Sequence, residues 1–355
     1  MKKVTYIALV AARSGGHIIP GITLATKYCL EHPDTHILYF STRHTLDKKI
    51  MYEYGAQVTN ITLPLDNVPK RWYLYPLFIF QCMRSFFTSL YHLIRLRPVG
   101  VILMGGYISI PVACAATLLR IPRHLYELNA VPGSATKFLA PIATTIHVCF
   151  ETARKFFNIK KTELCAYPVR FDPRKHTQHT IDFDTTRMTC LVLGGSQGSF
   201  FLNTAVMRCL KENPALQIRV NIIHQTGACL ESNCAAEYKA MGIPAIVFDY
   251  KNNLEEYYQA ADIVIGRSGA GTIFETLYFK KPCILIPLEI AGNDHQVHNA
   301  QAIAQQYPDI YTVIRQHELS TDTRTLSNVL MHHTKIRTAL SLGSPETTSP
   351  VNSSI

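Results

Sequence analysis

Unbroken apolar runs that end in glycine constrain this chain more than any other feature. Val4 to Val10 breaks at Ser14-Gly15-Gly16-His17, and Val99 to Met104 breaks at Gly105-Gly106-Tyr107. Thr189 to Leu193 breaks at Gly194-Gly195-Ser196-Gln197-Gly198, and Asp262 to Ile265 runs into Gly266 to Gly271. Such runs, rich in β-branched residues and without alternation, read as strands buried on both faces. Further strands are expected at His36 to Phe40, Gln57 to Leu63, His124 to Asn129 and Ile146 to Phe150. A second series continues at Ile218 to His224, Ala245 to Phe248, Cys283 to Ile286 and Ile310 to Ile314. Helical segments separate them; Pro20 suits the first turn of the helix after the first strand. This alternation predicts an α/β chain of two Rossmann-like domains with an interdomain cleft.

The 355 residues suit two domains. The first is expected over 1–168 and a linker over 169–187, where Asp172 to His179 is polar and non-periodic. A second domain over 188–340 and a disordered, Ser/Thr/Pro-rich tail over 341–355 complete the division. Charge is uneven: residues 1–175 hold 22 Lys+Arg against 9 Asp+Glu, and residues 176–355 hold 13 against 16. The first half is therefore suited to an anionic partner: a phosphate-bearing substrate, a membrane surface or nucleic acid. An uneven solvated surface is the bland alternative. The ten cysteines form no Cys-x-x-Cys and read as reduced core residues. No signal-peptide pattern precedes the first strand, so a cytoplasmic protein is expected.

Trp72 to Ile94 is rich in aromatic residues but interrupted by Pro76, Gln81, Arg84 and His92. Its uncharged part is too short to span a bilayer. Lys70, Arg71, Arg95 and Arg97 flank it, which suits a surface that touches lipid. A core helix is the alternative.

Four glycine turns at strand C-termini mark where open α/β sheets bind ligands. None is a dinucleotide fingerprint in the right context or a Walker loop. At Gly266 to Thr272 a strand, a glycine turn and a helix aim backbone N–H groups and a helix dipole at one point, a place for an anion. Glu275, one turn inside, can accept hydrogen bonds from sugar hydroxyls. The polar turn Gly292-Asn293-Asp294-His295-Gln296 adds amide, imidazole and carboxylate groups, so the site suits a nucleotide sugar. His17 stands beside a glycine pair at a helix start, where the dipole lowers an imidazole pKa and leaves it able to take a proton. A structural histidine is the alternative. No convergent ligand set is seen around His332-His333 or His295/His298, so no metal is expected.

In order along residues 14–300, SGGHIIPGITLA, MGGYISIP, ELNAVPGSATKFLA, PVR, GGSQGSFFLN, HQTG, RSGAGTIFE and NDHQVHNA together resemble the MurG family. These are the peptidoglycan N-acetylglucosaminyltransferases that act on lipid I. The resemblance implies a GT-B fold, with an acceptor and membrane-side N-terminal domain and a C-terminal domain that binds UDP-GlcNAc. It implies inverting transfer of GlcNAc to the 4-hydroxyl of the muramic acid of lipid I, giving lipid II. Donor contacts fall on Ser14, Gly15, Gly16, Asn129, Arg170, Ser196, Gln197, Lys251, Ala270, Gly271, Thr272, Ile273, Phe274, Glu275, His295 and Gln296. His17 matches the proposed general base, with Glu275 beside it as a catalytic candidate. Gly105, Gly106 and Tyr107 form the loop thought to face the lipid diphosphate. UDP-GlcNAc is a substrate; no cofactor and no metal are implied. The implied partners are lipid I, the anionic inner-membrane surface, and other cell-wall synthesis and division proteins, with no nucleic acid. The implied place is peripheral, on the cytoplasmic face of the inner membrane, with a role in cell shape and the cell cycle.

Some positions depart from the family pattern. Arg13 precedes Ser14, Ile110 replaces a small residue in the tyrosine loop, and Tyr126 and Leu128 replace two polar residues. Tyr167 opens the PVR motif, and Lys251 carries an unusual side chain near the uracil-reading backbone. These bear on acceptor specificity more than on catalysis. Asp182-Phe183-Asp184 resembles a metal motif of another glycosyltransferase fold but falls in the expected linker, where it reads as chance. The rivals are a related GT-B transferase using another lipid acceptor, which would lack the loop from Gly105 to Pro111, and a non-catalytic nucleotide-sugar-binding subunit.

Overall fold

The computed structural model describes residues 4–12, 14–43, 58–66, 68–69, 71–171, 181–195, 198–227, 233–251, 253–289 and 294–342, the side chains of 338–342 excepted. Contacts divide the chain into two compact units. One comprises Met1–Lys175, Ser268–Tyr278 and Glu289–Pro308; the other comprises His176–Arg267, Phe279–Leu288 and Asp309–Ile355.

The first unit is built on β1 (Thr5–Val10), β2 (Thr35–Ser41), β3 (Val58–Thr62), β4 (Val101–Leu103), β5 (Arg123–Glu127), β6 (Thr145–Val148) and β7 (Thr162–Leu164). These form a parallel sheet in the order β3-β2-β1-β4-β5-β6-β7. The second unit is built on β8 (Met188–Leu193), β9 (Val220–Gln225), β10 (Ala245–Phe248), β11 (Ile263–Gly266), β12 (Cys283–Leu285) and β13 (Tyr311–Val313). Its order, β10-β9-β8-β11-β12-β13, repeats the same winding, again in parallel. In each sheet the winding reverses once, at β1/β4 and at β8/β11. A doubly wound sheet opens a crevice outside its strand C-termini at that reversal. All four glycine turns read from the sequence leave these four strands.

Helices can cover both faces of such a sheet because its central strands have no solvent-facing side. Every residue of β8 is buried, and Cys190 and Val192 join Ile222, Ile265 and Ile284 in one cluster under Leu202, Val206 and Leu210. In the first unit the fully buried Tyr39 of β2 donates its hydroxyl to the Ala11 carbonyl at 2.7 Å. That bond fixes the chain where it leaves β1.

Several local expectations need correction. Pro20 lies inside the helix Gly15–Glu31, not in its first turn. It deletes one backbone bond there, and the turn still forms because its neighbours Ile18 and Ile22 are buried. The helix after β11 begins at Ala270, inside the stretch Gly266 to Gly271 expected as a turn. The last helix, Arg324–Leu342, runs past the expected end of ordered structure at 340; residues 343–355 of the expected tail, and 172–180 of the expected linker, lie outside the described residues. Asp184 caps a turn, accepting from the Thr186 N–H and hydroxyl at 2.9 and 2.6 Å and pairing with Arg187 at 3.3 Å.

The core-helix reading of Trp72 to Ile94 fails. The segment is the helix Tyr75–Leu96, but only Ser85, Ser89 and Leu93 are buried. Leu77, Phe80, Met83, Phe87 and Tyr91 all face outward, and Trp72 just ahead of the helix is 82% exposed. Small residues spaced by four make the inward stripe that lies on the alanine-rich helix Ser109–Leu118. The large side chains are displaced to the opposite face.

Candidate active site

His17 sits on the third residue of the helix Gly15–Glu31, which starts where β1 ends. Ser14 precedes the helix; its carbonyl accepts from the N–H groups of His17 and Ile18 at 3.0 Å each, and its hydroxyl makes no capping bond. That hydroxyl and the His17 ring are therefore left for the cavity they line with Asp66, Tyr107 and Ile108. Burial lowers the His17 pKa below its ordinary value of 6.5, and a charge on His295 lowers it further. The direction matches the sequence expectation. The cause found is desolvation, with a second imidazole behind it.

The turn after β4 supplies the facing wall. Gly105 and Gly106 take positive φ angles of 82° and 73°. The Ser109 hydroxyl donates to the Gly105 carbonyl at 2.6 Å and holds the turn. Tyr107 stays exposed on it. Ile108, not Ile110, lines the cavity.

A third strand end, after β5, carries a polar hub that the sequence did not reveal. The buried Glu127 accepts from the Asn129 N–H and side-chain amide at 2.9 and 3.0 Å. Burial raises its pKa, and these bonds oppose the rise. Asn299, fully buried in the helix His295–Gln306, accepts from the Ala130 N–H at 2.8 Å. Its amide donates to the Asn129 side-chain oxygen at 3.1 Å and to the Ser268 carbonyl at 3.2 Å. His295 Nδ1 lies 3.1 Å from the Val131 carbonyl, and the Ser268 hydroxyl donates to the Gln296 carbonyl at 2.7 Å. One asparagine thus ties the Asn129 turn, the head of the Ala270 helix and the His295 helix together.

The resemblance makes Arg170 a donor contact, and Glu275 suits a sugar hydroxyl. The structure pairs them: Arg170 Nε is 3.1 Å from Glu275 Oε1 and Nη2 is 3.4 Å from Oε2, with both side chains largely buried. The pairing neutralises the carboxylate while leaving lone pairs to accept from a hydroxyl. Next to it Phe274 is stacked on Tyr167 at 5.0 Å and meets Phe150 edge-on at 5.0 Å. Tyr167, seen in the sequence only as a departure, is therefore a support of the helix Ala270–Tyr278. Gly271 passes close to its hydroxyl.

Within the first unit the structure thus gathers Ser14, Gly15, Gly16, His17, Gly105, Gly106, Tyr107, Asn129, Arg170, the stretch Ala270, Gly271, Thr272, Ile273, Phe274, Glu275, and His295 and Gln296. Lys251 belongs to the second unit, where its ammonium bonds the Tyr257 hydroxyl and lies 5.3 Å from the Phe248 ring centre. Ser196, Gln197, Gly292 and Asn293 lie outside the described residues. Their neighbours show how the 194–199 turn is held. The buried Arg267 donates to the Ser199 hydroxyl at 3.0 and 2.8 Å and to the carbonyls of Ile286 and Pro287 at 3.1 and 3.3 Å. Among the described residues no group of three or more His, Cys, Asp or Glu is placed to hold a metal ion.

Residues 7–148 match the glycosyltransferase family 28 N-terminal domain and residues 189–343 match its C-terminal domain. A protein of Thermodesulfovibrio yellowstonii, the UDP-N-acetylglucosamine–N-acetylmuramyl-(pentapeptide) pyrophosphoryl-undecaprenol N-acetylglucosamine transferase, is 31% identical over 301 residues, 84% of this chain and 82% of its own. The protein of the same name from Myxococcus xanthus is 31% identical over 84% of this chain and 77% of its own. The crystal structure of Acinetobacter baumannii MurG superposes with a TM-score of 0.70 at 22% identity, covering 95% of this chain and 93% of that one. The glycosyltransferase SnogD of Streptomyces nogalater gives 0.62 at 14% identity over 95% of each chain. These two structures show the fold, two Rossmann-like domains of the GT-B type. Coverage of most of both chains at this identity, with both halves of one family matched in order, makes this glycosyltransferase a member of the MurG family.

Proposed function

We propose that this chain transfers N-acetylglucosamine from UDP-GlcNAc to the 4-hydroxyl of the muramic acid of lipid I (undecaprenyl-diphosphate-MurNAc-pentapeptide), inverting the anomeric centre and giving lipid II. The relatives' shared name supplies donor and acceptor. One observation on this chain carries the acceptor half. The cavity that holds His17 shares Thr42, Leu65 and Asp66 with a larger groove of about 770 Å³. That groove continues along Leu74, Leu77 and Phe80 to the exposed aromatic helix. A reciprocal clasp, Gln81 Nε2 to Asp66 Oδ2 at 2.7 Å and Asp66 N–H to Gln81 Oε1 at 3.1 Å, holds the wall between them. A chamber that carries the His17 imidazole and opens into a groove walled in part by Leu74, Leu77 and Phe80 suits a sugar carried on a lipid.

In the step itself the muramic acid oxygen bonds to C1 of GlcNAc as the bond from C1 to UDP breaks, and His17 takes the hydroxyl proton. His17 can do so because desolvation keeps it neutral. The departing diphosphate gathers negative charge, which the N–H groups at Ala270 to Thr272 and the Arg170 guanidinium are placed to stabilise. Glu275 then accepts from a donor hydroxyl while it orients Arg170. No metal or other cofactor enters this reading.

Place and partners belong to the same proposal. No helix among the described residues is long and apolar enough to cross a membrane. The outward aromatic face of Tyr75–Leu96, with Arg71 and Arg95 bonded to Tyr73 and Tyr91 at its two ends, suits the surface of an anionic bilayer on its cytoplasmic side. Contacts with cell-wall synthesis and division proteins, and a part in cell shape, follow from that location.

The test is transfer to a short-chain lipid I analogue in EDTA, with UDP-glucose and UDP-GalNAc as control donors. Product with UDP-GlcNAc alone is expected. Tight UDP-GlcNAc binding without product would point to another lipid acceptor or to a binding subunit, and loss of product in EDTA would overturn the metal-free step.

A further inference from the structure

At the outer edge of the first sheet two cysteines face each other across neighbouring strands. β6 and β7 pair in register from Ile146↔Thr162 to Val148↔Leu164. The Cys165 N–H continues the ladder to the Val148 carbonyl at 2.9 Å, so Cys149 and Cys165 are the next partners. His147 and Glu163, two residues earlier, meet at 3.7 Å on one face, and alternation puts the cysteines on that face too. Their sulfurs lie 3.9 Å apart. Neighbouring strands are about 4.8 Å apart, inside the roughly 4.4–6.8 Å between α-carbons that a disulfide spans.

We propose that Cys149 and Cys165 are a modification site, a dithiol that a hydroperoxide converts to an intramolecular disulfide and that thereby weakens donor binding. The two thiols are unequal. Cys149 is buried and Cys165 half-buried. Hydrogen bonding from Cys149 lowers the Cys165 pKa, while that bond and burial raise that of Cys149. Cys165 is therefore the thiolate that meets the oxidant. Its sulfur attacks the peroxide and becomes a sulfenic acid, releasing hydroxide or alcohol. The Cys149 thiol then displaces water to form the S–S bond. A dithiol reductant reverses the step by exchange.

The consequence lies one and two residues away. Phe150 follows Cys149, Tyr167 follows Cys165 by two, and both rings grip Phe274, whose neighbour is Glu275. Drawing the sulfurs from 3.9 Å to the ~2.05 Å of a bond pulls on the chain one residue from Phe150 and two from Tyr167. The donor helix then loses part of its seat. This consequence rests on the proposed donor site; the disulfide itself does not.

The test treats the purified full chain with hydrogen peroxide, then maps thiols by mass spectrometry and measures UDP binding before and after a dithiol reductant. A Cys149–Cys165 crosslinked peptide, lighter by two hydrogens, and a severalfold weaker UDP Kd restored on reduction are expected. Cys149→Ser should leave a Cys165 sulfenic acid that a 1,3-dione traps. Oxidation elsewhere first, or no crosslink in the wild-type chain, would overturn the site. A crosslink with unchanged Kd would overturn its control of the donor helix and leave the dithiol chemistry standing.

Discussion

Two glycine turns written in nearly the same way are held in opposite ways. The turn after β1, Ser14 to His17, has few internal ties: Ser14 makes no capping bond, and a β-carbon on Gly16 would meet nothing nearer than the Ser14 hydroxyl at 3.5 Å. The turn after β8 is gripped. A β-carbon on Gly194 would come within 2.8 Å of the Ser199 nitrogen, and one on Gly198, at φ +76°, would run into the Thr226 carbonyl. Gln225 donates to the Gly195 carbonyl at 3.1 Å. Behind it, Asn203 donates to the Thr226 carbonyl at 3.1 Å and meets His224 Nε2 at 3.0 Å, and His224 Nδ1 meets the Tyr238 hydroxyl at 2.8 Å. Burial pushes the His224 pKa down to about 3, so this network stays uncharged. Reacting groups need room around them, whereas a loop that offers backbone N–H groups needs a fixed shape.

That contrast breaks most sharply at His17. His17→Ala should lower kcat by roughly 10²–10⁴-fold with little change in donor Kd, as measured by steady-state kinetics beside calorimetry. Equal loss of both would reduce His17 to a binding role. Gly198→Ala should cost the fold about 3 kcal/mol by denaturant titration, whereas Gly16→Ala should leave stability nearly unchanged and act on turnover. Similar stability losses at the two glycines would erase the contrast.

A smaller effect is expected in the pH profile. Because burial lowers the His17 pKa, the neutral base persists into more acid solution, so the acid limb of kcat/KM should fall below 6.5. His295→Gln removes the second cause and should move that limb upward. A limb that stays put would detach His295 from His17. The smallest effect per residue belongs to the outer helix. Charge reversal at Lys70, Arg71, Arg95 and Arg97 should weaken binding to anionic vesicles by about 1 kcal/mol each; Lys70 lies outside the described residues. Unchanged sedimentation with vesicles would place any lipid contact elsewhere.

The two sheets were legible because buried parallel strands are continuous apolar runs, and their glycine turns announce the C-terminal ends. β7 was not, since Thr162-Glu163-Leu164 is a short edge strand with two exposed residues and no apolar run. The supports of the site were hidden for a different reason. Asn299 meets Ala130 across 169 positions of sequence, and Arg267 meets Ser199 across 68, so neither partnership leaves a local pattern. The outward face of Tyr75–Leu96 has a signature beyond its aromatic content and basic flanks: Ser85, Ser89 and Leu93 recur at helical spacing. Two serines on the inward stripe and large apolar residues on the outward one invert the usual pattern of a surface helix. The pairing of Arg170 with Glu275 lay beyond any motif, because each residue alone suits a ligand.

The most direct measurement is the linkage of the product formed from UDP-GlcNAc and a lipid I analogue, read by NMR. Displacement with His17 as base predicts a β-linked GlcNAc on the 4-oxygen of the muramic acid, inverted from the α-linked donor. An α-linked product, or a sugar on any other hydroxyl, would contradict the account.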